Sequence, residues 1–298
     1  GDNPRFGSDR ASFREPMQLF EAFHDDGAKT LLRGTTLPAG QGGMADIEAA
    51  VDNLFEHPNT GPFIGRQLIQ RLVTSNPSPA YVERVAAAFA GETGSPRGDM
   101  RAVLRAVLLD PEARAMPDPG GTAGKLREPV LRQMAMLRQL NVSSPDGFYA
   151  NTGFFVQNTV QQHPLSSPSV FNFFLPSYQP IGEIAERGLV APEFQITNSS
   201  SVVAVSNLVQ AAVLMDFVND LREPPFQAAT PDLDKFVALA GDIDALIERL
   251  DTVFTYGTLS SATRTAIIES LRPIEDPMLR TRIALYLLLI SPDYAVET

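Results

Sequence analysis

Apolar residues recur along this chain at spacings of three and four, the period of helices that each bury one face. Ile47, Ala50, Val51, Leu54 and Phe55 make the first such stripe. Thr60 ahead of Pro62 reads as an N-cap, followed by Ile64, Leu68 and Leu72 on one line. Ser78 and Pro79 read as the N-cap and first turn of a helix whose buried face is Val82, Val85, Ala86 and Phe89, because a short polar side chain accepts from the first free N–H groups and proline lacks one. Asp99 opens Met100, Val103, Leu104, Val107 and Leu108 in the same manner, with Pro111 just past the end. After a Pro/Gly-rich break at 117–124, Leu126, Val130, Met134 and Leu137 predict a further helix.

From Asn141 to about Thr197 the period fails. This stretch is rich in Pro, Gly, Ser, Asn and Phe, and its aromatic residues follow no helical spacing. Plain connections are much shorter, so an irregular segment of this length reads as a functional excursion or a packed loop. Helical pattern returns with Val202, Val205, Val209 and Val213, then Ile243, Leu246, Ile247 and Leu250. Ser260 or Ser261 caps Ile267, Ile268 and Leu271, and Asp276-Pro277 opens a last helix, apolar nearly all round from Ile283 to Ile290 and hence central to the core. No segment alternates with period two for long enough to be a strand. The fold class predicted is all-α, an irregular array of about nine to eleven helices interrupted by an aromatic-rich segment. The organisation reads as an extended or loose N-terminal arm at 1–43, a first helical array at 44–140, the irregular segment at 141–197 and a C-terminal bundle at 198–298, together one continuous globular unit. A weak echo relates Val107–Glu112 to Leu288–Asp293, each a buried helix stopped by proline and an acidic residue.

Composition narrows the chemistry. With 44% hydrophobic and 20% charged residues, the chain can bury a core, and its longest apolar run, Ile283–Ile290, is far short of the ~20 residues that cross a bilayer. A net charge of −11 with no compensating basic block argues against nucleic acid as a partner. Cysteine is absent, which removes disulfides, thiolate nucleophiles and Cys-type metal sites together. Lys29, Lys125 and Lys235 are the lysines of the chain, so Schiff-base chemistry has few carriers. The polar, Arg-rich opening carries no charged-then-apolar leader, which reads as a cytoplasmic chain or one whose front has been removed.

Gly40-Gln41-Gly42-Gly43-Met44-Ala45 fits the looser dinucleotide pattern, but the strand needed before it is missing, so a flexible glycine loop is the plainer reading. His24, His57 and His163 include no pair at helical spacing, and no two-His metal motif forms. His24-Asp25-Asp26 is the densest polar cluster and could gather His57 or Glu193 across space; the plainer alternative is a helix-flanking or loop role. No nucleophile elbow, Walker loop or calcium loop occurs, and no cofactor or metal is expected.

The series His24-Asp25-Asp26-Gly27-Ala28-Lys29, Asp46-Ile47-Glu48-Ala49-Ala50-Val51-Asp52 and His57-Pro58 leading into Phe63-Ile64-Gly65-Arg66-Gln67-Leu68 resembles a bacterial family, domain of unknown function 1800. Tyr81–Val85, Asp99–Leu104, Lys125-Leu126-Arg127-Glu128-Pro129 and Leu289-Ile290-Ser291-Pro292-Asp293-Tyr294 continue the likeness, and Pro168–Phe174 with Ala191–Gln195 resembles one branch of it. The resemblance implies a helical, exported protein, periplasmic or extracellular, matching the C-terminal portion of members that carry a further N-terminal helical region. It also implies a protein partner, either an exported protein with a sulfatase-like fold or that N-terminal region of the same precursor. It carries over no catalytic residue.

Two functions follow as expectations. The first is a non-catalytic structural or interaction subunit of an envelope or extracellular assembly. The second is an exported hydrolase acting on a polymer, with His24, Asp25, Asp26, His163 and Glu193 as its candidate acid-base groups. Phe171, Phe173 and Phe174 are expected to anchor the irregular segment inward. Phe148, Tyr149, Phe154, Phe155 and Tyr178 are expected to remain partly outside as the partner-contact surface, since loops on a rigid scaffold carry binding residues and aromatics enrich interface cores.

Overall fold

Short polar side chains set where the helices of this chain begin. The computed structural model describes residues 16–116, 121–145, 147, 149, 160–215 and 229–297. Among them are nine α-helices of eight residues or more, four single-turn helices and two antiparallel pairs of two-residue strands, so the protein is mostly α-helical. The chain divides into two compact units, Gly1–Ile64 and Gly65–Thr298, the division falling inside one helix.

In the N-terminal unit a 3₁₀ turn, Glu21–Phe23, precedes the pair β1 (Lys29–Thr30) and β2 (Thr36–Leu37), with Lys29 opposite Leu37. Helix α1 (Gly43–Phe55) follows a glycine run. The helix lies where its apolar stripe predicts, yet Ile47, Val51 and Leu54 are 46%, 57% and 55% exposed. The described part of this unit has no second apolar layer to cover them, and α1 instead buries Gly43 and Asp46 at its start.

Helix α2 (Thr60–Leu72) takes Thr60 as its first residue rather than its cap, and the Thr60 hydroxyl donates to the Leu54 carbonyl. In the larger unit α3 (Pro79–Ala90) and α4 (Met100–Leu109) pair around Ile69, Tyr81, Val85, Phe89, Val103 and Val107. Ser78 accepts from Tyr81 N–H and Asp99 from Arg101 and Ala102 N–H, as the cap signals predict. Val85 and Phe89 are buried as the stripe predicts, and Tyr81 and Ala88 complete the buried face, with Val82 and Ala86 half-buried beside it. The Tyr81 hydroxyl donates to the Val107 carbonyl, and burial pushes its pKa up to about 12. Arg84 grips Asp110 in two parallel bonds, Nε to Oδ2 at 2.6 Å and Nη2 to Oδ1 at 2.8 Å, the geometry that makes Arg–carboxylate pairs strong. Asp110 then caps α5 (Pro111–Arg114).

The next helix, α6 (Pro129–Gln139), begins three residues later than the Leu126 stripe implies and buries Pro129, Gln133 and Met136. Proline at the first position disfavours a helical residue before it. Leu126 therefore lies in β3 (Lys125–Leu126), paired antiparallel with β4 (Val296–Glu297). Among the described residues Val160 is helical, and between residues 161 and 197 the only helical turns are α7 (Glu183–Glu186) and a 3₁₀ turn, Pro192–Gln195. Helix α8 (Ser199–Leu214) starts at a reciprocal Asn198–Ser201 capping box. Then come α9 (Asp234–Val237), α10 (Ile243–Leu250), α11 (Ser261–Leu271), α12 (Pro277–Leu289) and α13 (Pro292–Ala295). Asp242, Ser260 and Asp276 cap α10, α11 and α12. The main core gathers Met136, Val213, Phe236, Leu250, Phe254 and Tyr294 around α12, where Ala284, Leu285 and Leu288 are fully buried. The echo between the two helix exits is a shared local device, a capped proline turn entered from Asp110 in one case and Ser291 in the other.

Candidate functional sites

The polar residues of the N-terminal unit meet at the start of α1. Gly42 has no side chain to cap the helix, and the Glu21 carboxylate does so from a distance, accepting from Gly43 N–H at 3.1 and 3.2 Å. A Cβ on Gly43 would lie 2.6 Å from Leu19 and 3.2 Å from the His24 ring, so glycine lets that ring close over the helix end. Asp46, one turn in, accepts from His24 Nε2 at 2.8 Å and pairs with Lys29 Nζ at 2.7 Å. The Lys29 hydrogen bond above all, and then that of His24, hold the Asp46 carboxyl below its ordinary value against the opposing effect of burial. Lys29 also donates to the carbonyls of Asp25 and Gly27, and Asp25 Oδ1 accepts from Gly27 N–H. Asp26 contributes its carbonyl to Gly40 N–H.

The His24-Asp25-Asp26 cluster is thus a clasp on a helix start. His24 Nδ1 lies 3.6 Å from Glu21 Oε2, so both ring nitrogens face carboxylates already. A pyrophosphate at the glycine run would need the N-terminus of α1, where Glu21 sits. Among the described residues no group of three or more His, Asp and Glu side chains could hold a metal ion.

In the larger unit the strongest polar cluster lies under the irregular segment. Arg71 on α2 pairs with Glu128 at 2.8 Å, and Gln162 joins the other oxygen of Glu128 while accepting from Val130 N–H. Lys125 donates to the Arg71 carbonyl at 2.6 Å and stands 3.6 Å from Glu193, both side chains being 1% exposed. Burial pushes the Glu193 carboxyl up; its own backbone N–H, Lys125 and Arg71 oppose that and Glu128 adds to it. Glu193 Oε2 and Gln70 Oε1 are buried without a hydrogen-bond partner. Phe174 closes the cluster, its ring 4.1 Å from the Arg71 guanidinium carbon. A cleft of about 720 Å³ opens elsewhere in this unit, but its carboxylates are engaged, Glu112 by Ser78 and Glu297 by Arg127.

The other expected residues are scattered. His163 Nδ1 meets the Ser166 hydroxyl at 2.7 Å, a local loop bond. Tyr149 is 39% exposed and lines a shallow hollow with Leu137, Arg138 and Val142. Tyr178 is half-buried. Phe148, Phe154 and Phe155 lie outside the described residues. Of the three expected anchors, Phe174 is buried and Phe173 half-buried, but Phe171 is 69% exposed. That corrects the expectation for Phe171, which sits within the turn closed by Asn172 N–H to the Ser169 carbonyl and is left open to solvent. The outward residues that the sequence did not single out are mainly aliphatic: Leu165, Val170, Leu175 and Ile181. Lys125 and Arg71 were also missed as partners of Glu193, because only the fold brings them together.

The family model described as a protein of unknown function, DUF1800, matches residues 5–296. The chain belongs to that family. The match runs through both units of this DUF1800 chain, so the likeness is not confined to a C-terminal portion. Comparison with curated proteins and with solved structures finds no match. Among the described residues no helix is long and apolar enough to cross a membrane.

Proposed function

We propose that this DUF1800 chain is a non-catalytic structural or interaction subunit of an envelope or extracellular assembly, and that the outer side of residues 160–196 contacts its protein partner. One observation carries the reading: Leu165, Val170, Phe171, Leu175 and Ile181 stand exposed, from 43% to 107%, on a segment whose inner side is pinned by Phe174 and Glu193. Single exposed apolar residues are ordinary on a protein surface, whereas apolar side chains gathered into one patch favour an interaction site, and these five fall close together on one segment. The placement of His24, His163 and Glu193 in intramolecular roles supports this reading over polymer hydrolysis, which needs two acid-base groups converging on one pocket. Location in the periplasm or outside the cell belongs to the same proposal and rests on the family likeness. Affinity capture from native envelope or secreted material tests it. Recovery in a stoichiometric complex is the expected outcome, and recovery only as a free monomer contradicts it.

A further inference from the structure

The segment Val160–Ile196 is attached to the helical body through side chains. Among the described residues its backbone hydrogen bonds close on the segment itself, as in Asn172 N–H to Ser169, Tyr178 N–H to Leu175 and Ala191 N–H to Tyr178. Its ties to the body are Gln162 to Glu128 and Val130, the Pro176 carbonyl to Gln70, both backbone groups of Val190 to Asn76, and Glu193 to Lys125. Its buried apolar anchors are Val160, Phe174, Val190, Ala191, Pro192 and Ile196, with Phe174 the one aromatic ring among them. The floor they meet includes the charges of Arg71, Lys125 and Glu128. Gln161 and Leu165 hold left-handed backbone at φ 60° and 63°, a conformation disfavoured for residues with a Cβ, and no burial holds Leu165 there. Regions with few apolar contacts and no ladder to the body open at lower free energy than the core.

We propose that Val160–Ile196 is a strap that lifts from the body as one unit, uncovering Lys125 so that with Arg71 and Glu128 it forms a receptor for a carboxylate that a protein partner supplies in place of Glu193. The proposal rests on the reading of this segment as the partner-contact surface. With Glu193 withdrawn, the floor keeps two cations and one carboxylate, a local positive site in an acidic chain. Lys125 then has donors to spare, its one hydrogen bond among the described residues going to the Arg71 carbonyl. The Glu193 carboxylate is a poor occupant, with one oxygen unpartnered and the other beyond hydrogen-bond distance of Lys125.

Hydrogen exchange read by mass spectrometry on the intact protein tests the strap. Peptides across 160–196 should exchange together, ahead of α2 and α6. Asn76→Ala and Gln162→Ala cut ties at opposite ends, and each should accelerate the whole segment on the order of tenfold while α10 to α12 stay unchanged. Acceleration confined to the neighbourhood of each severed tie, or protection equal to that of α12, overturns the strap. For the receptor the probe is a polyglutamate peptide, expected to raise exchange across 160–196 in the wild type and to lose that effect in Lys125→Met, with the exchange of α10 to α12 reporting an intact fold. No response of the wild type to the peptide overturns the receptor. Either failure leaves partner capture by the outer face as a separate result, so the two readings are told apart.

Discussion

Asp46 and Glu193 are both buried carboxylates beside a lysine, yet their environments push them in opposite directions. Asp46 receives short bonds from Lys29 and His24, so its folded pKa is depressed. Its contribution to stability is therefore present above the unfolded value and is lost as pH falls through the folded one. Lys29→Met should blunt the acid-induced loosening of the N-terminal unit, measured as protease nicking between residues 16 and 42 along an acid titration; an unaltered acid profile would contradict the assigned cause. Glu193 lacks such bonds, so burial raises its pKa above the ordinary 4.5, with Lys125 and Arg71 opposing and Glu128 adding to the rise. Its contribution is full below the unfolded pKa and is lost as pH rises through the folded one. Glu193→Gln should remove that decline, seen as a flatter dependence of urea unfolding midpoint on pH across the weakly acidic range. An equal slope in both proteins would show that Glu193 titrates as an ordinary carboxylate. Neither environment was legible in the sequence. Asp46 lies 22 residues from His24, and nothing local marks Lys125 as the neighbour of Glu193.

At the scale of elements the sequence was most readable where a cap and a period agree. Ser78, Asp99, Ser260 and Asp276 all accept from the first turn of their helices, because that chemistry depends only on neighbours in the chain. Faces were less readable. Tyr81 rather than Val82 is buried in α3, and the α1 stripe stays exposed among the described residues of its own unit, since which face turns inward depends on what the rest of the fold supplies. The paired residues of β3 and β4, two per strand, and the π turn at Asp251–Thr255 are too short to leave a pattern. One glycine is fixed by an element's end. Gly91 terminates α3 at φ 88°, and an added Cβ would lie 2.7 Å from the Ser95 carbonyl. Gly91→Ala should destabilise the larger unit by at least about 1 kcal/mol, read by urea unfolding; a neutral result would mean that the Ser95–Arg97 turn gives way.

At the scale of the whole molecule, and among the described residues, His24 bonds Asp46, Asp25 bonds Gly27 N–H, His163 bonds Ser166 and Glu193 faces Lys125, while Leu165, Val170, Phe171 and Ile181 are exposed on the 160–196 segment. The irregular composition of 141–197 marks the stretch where these exposed apolar side chains lie; of the aromatics expected to stand partly outside, Tyr149 is 39% exposed and Tyr178 half-buried, while Phe148, Phe154 and Phe155 lie outside the described residues. The direct test repeats native capture with Leu165→Ser, Val170→Ser, Phe171→Ser and Ile181→Ser combined. These side chains are exposed, so the fold should be unaffected, surface changes typically costing within about 0.5 kcal/mol each. The wild type should be recovered with a stoichiometric partner, and the variant, equally folded, should lose it. Retention of the partner by the folded variant would contradict the proposed contact.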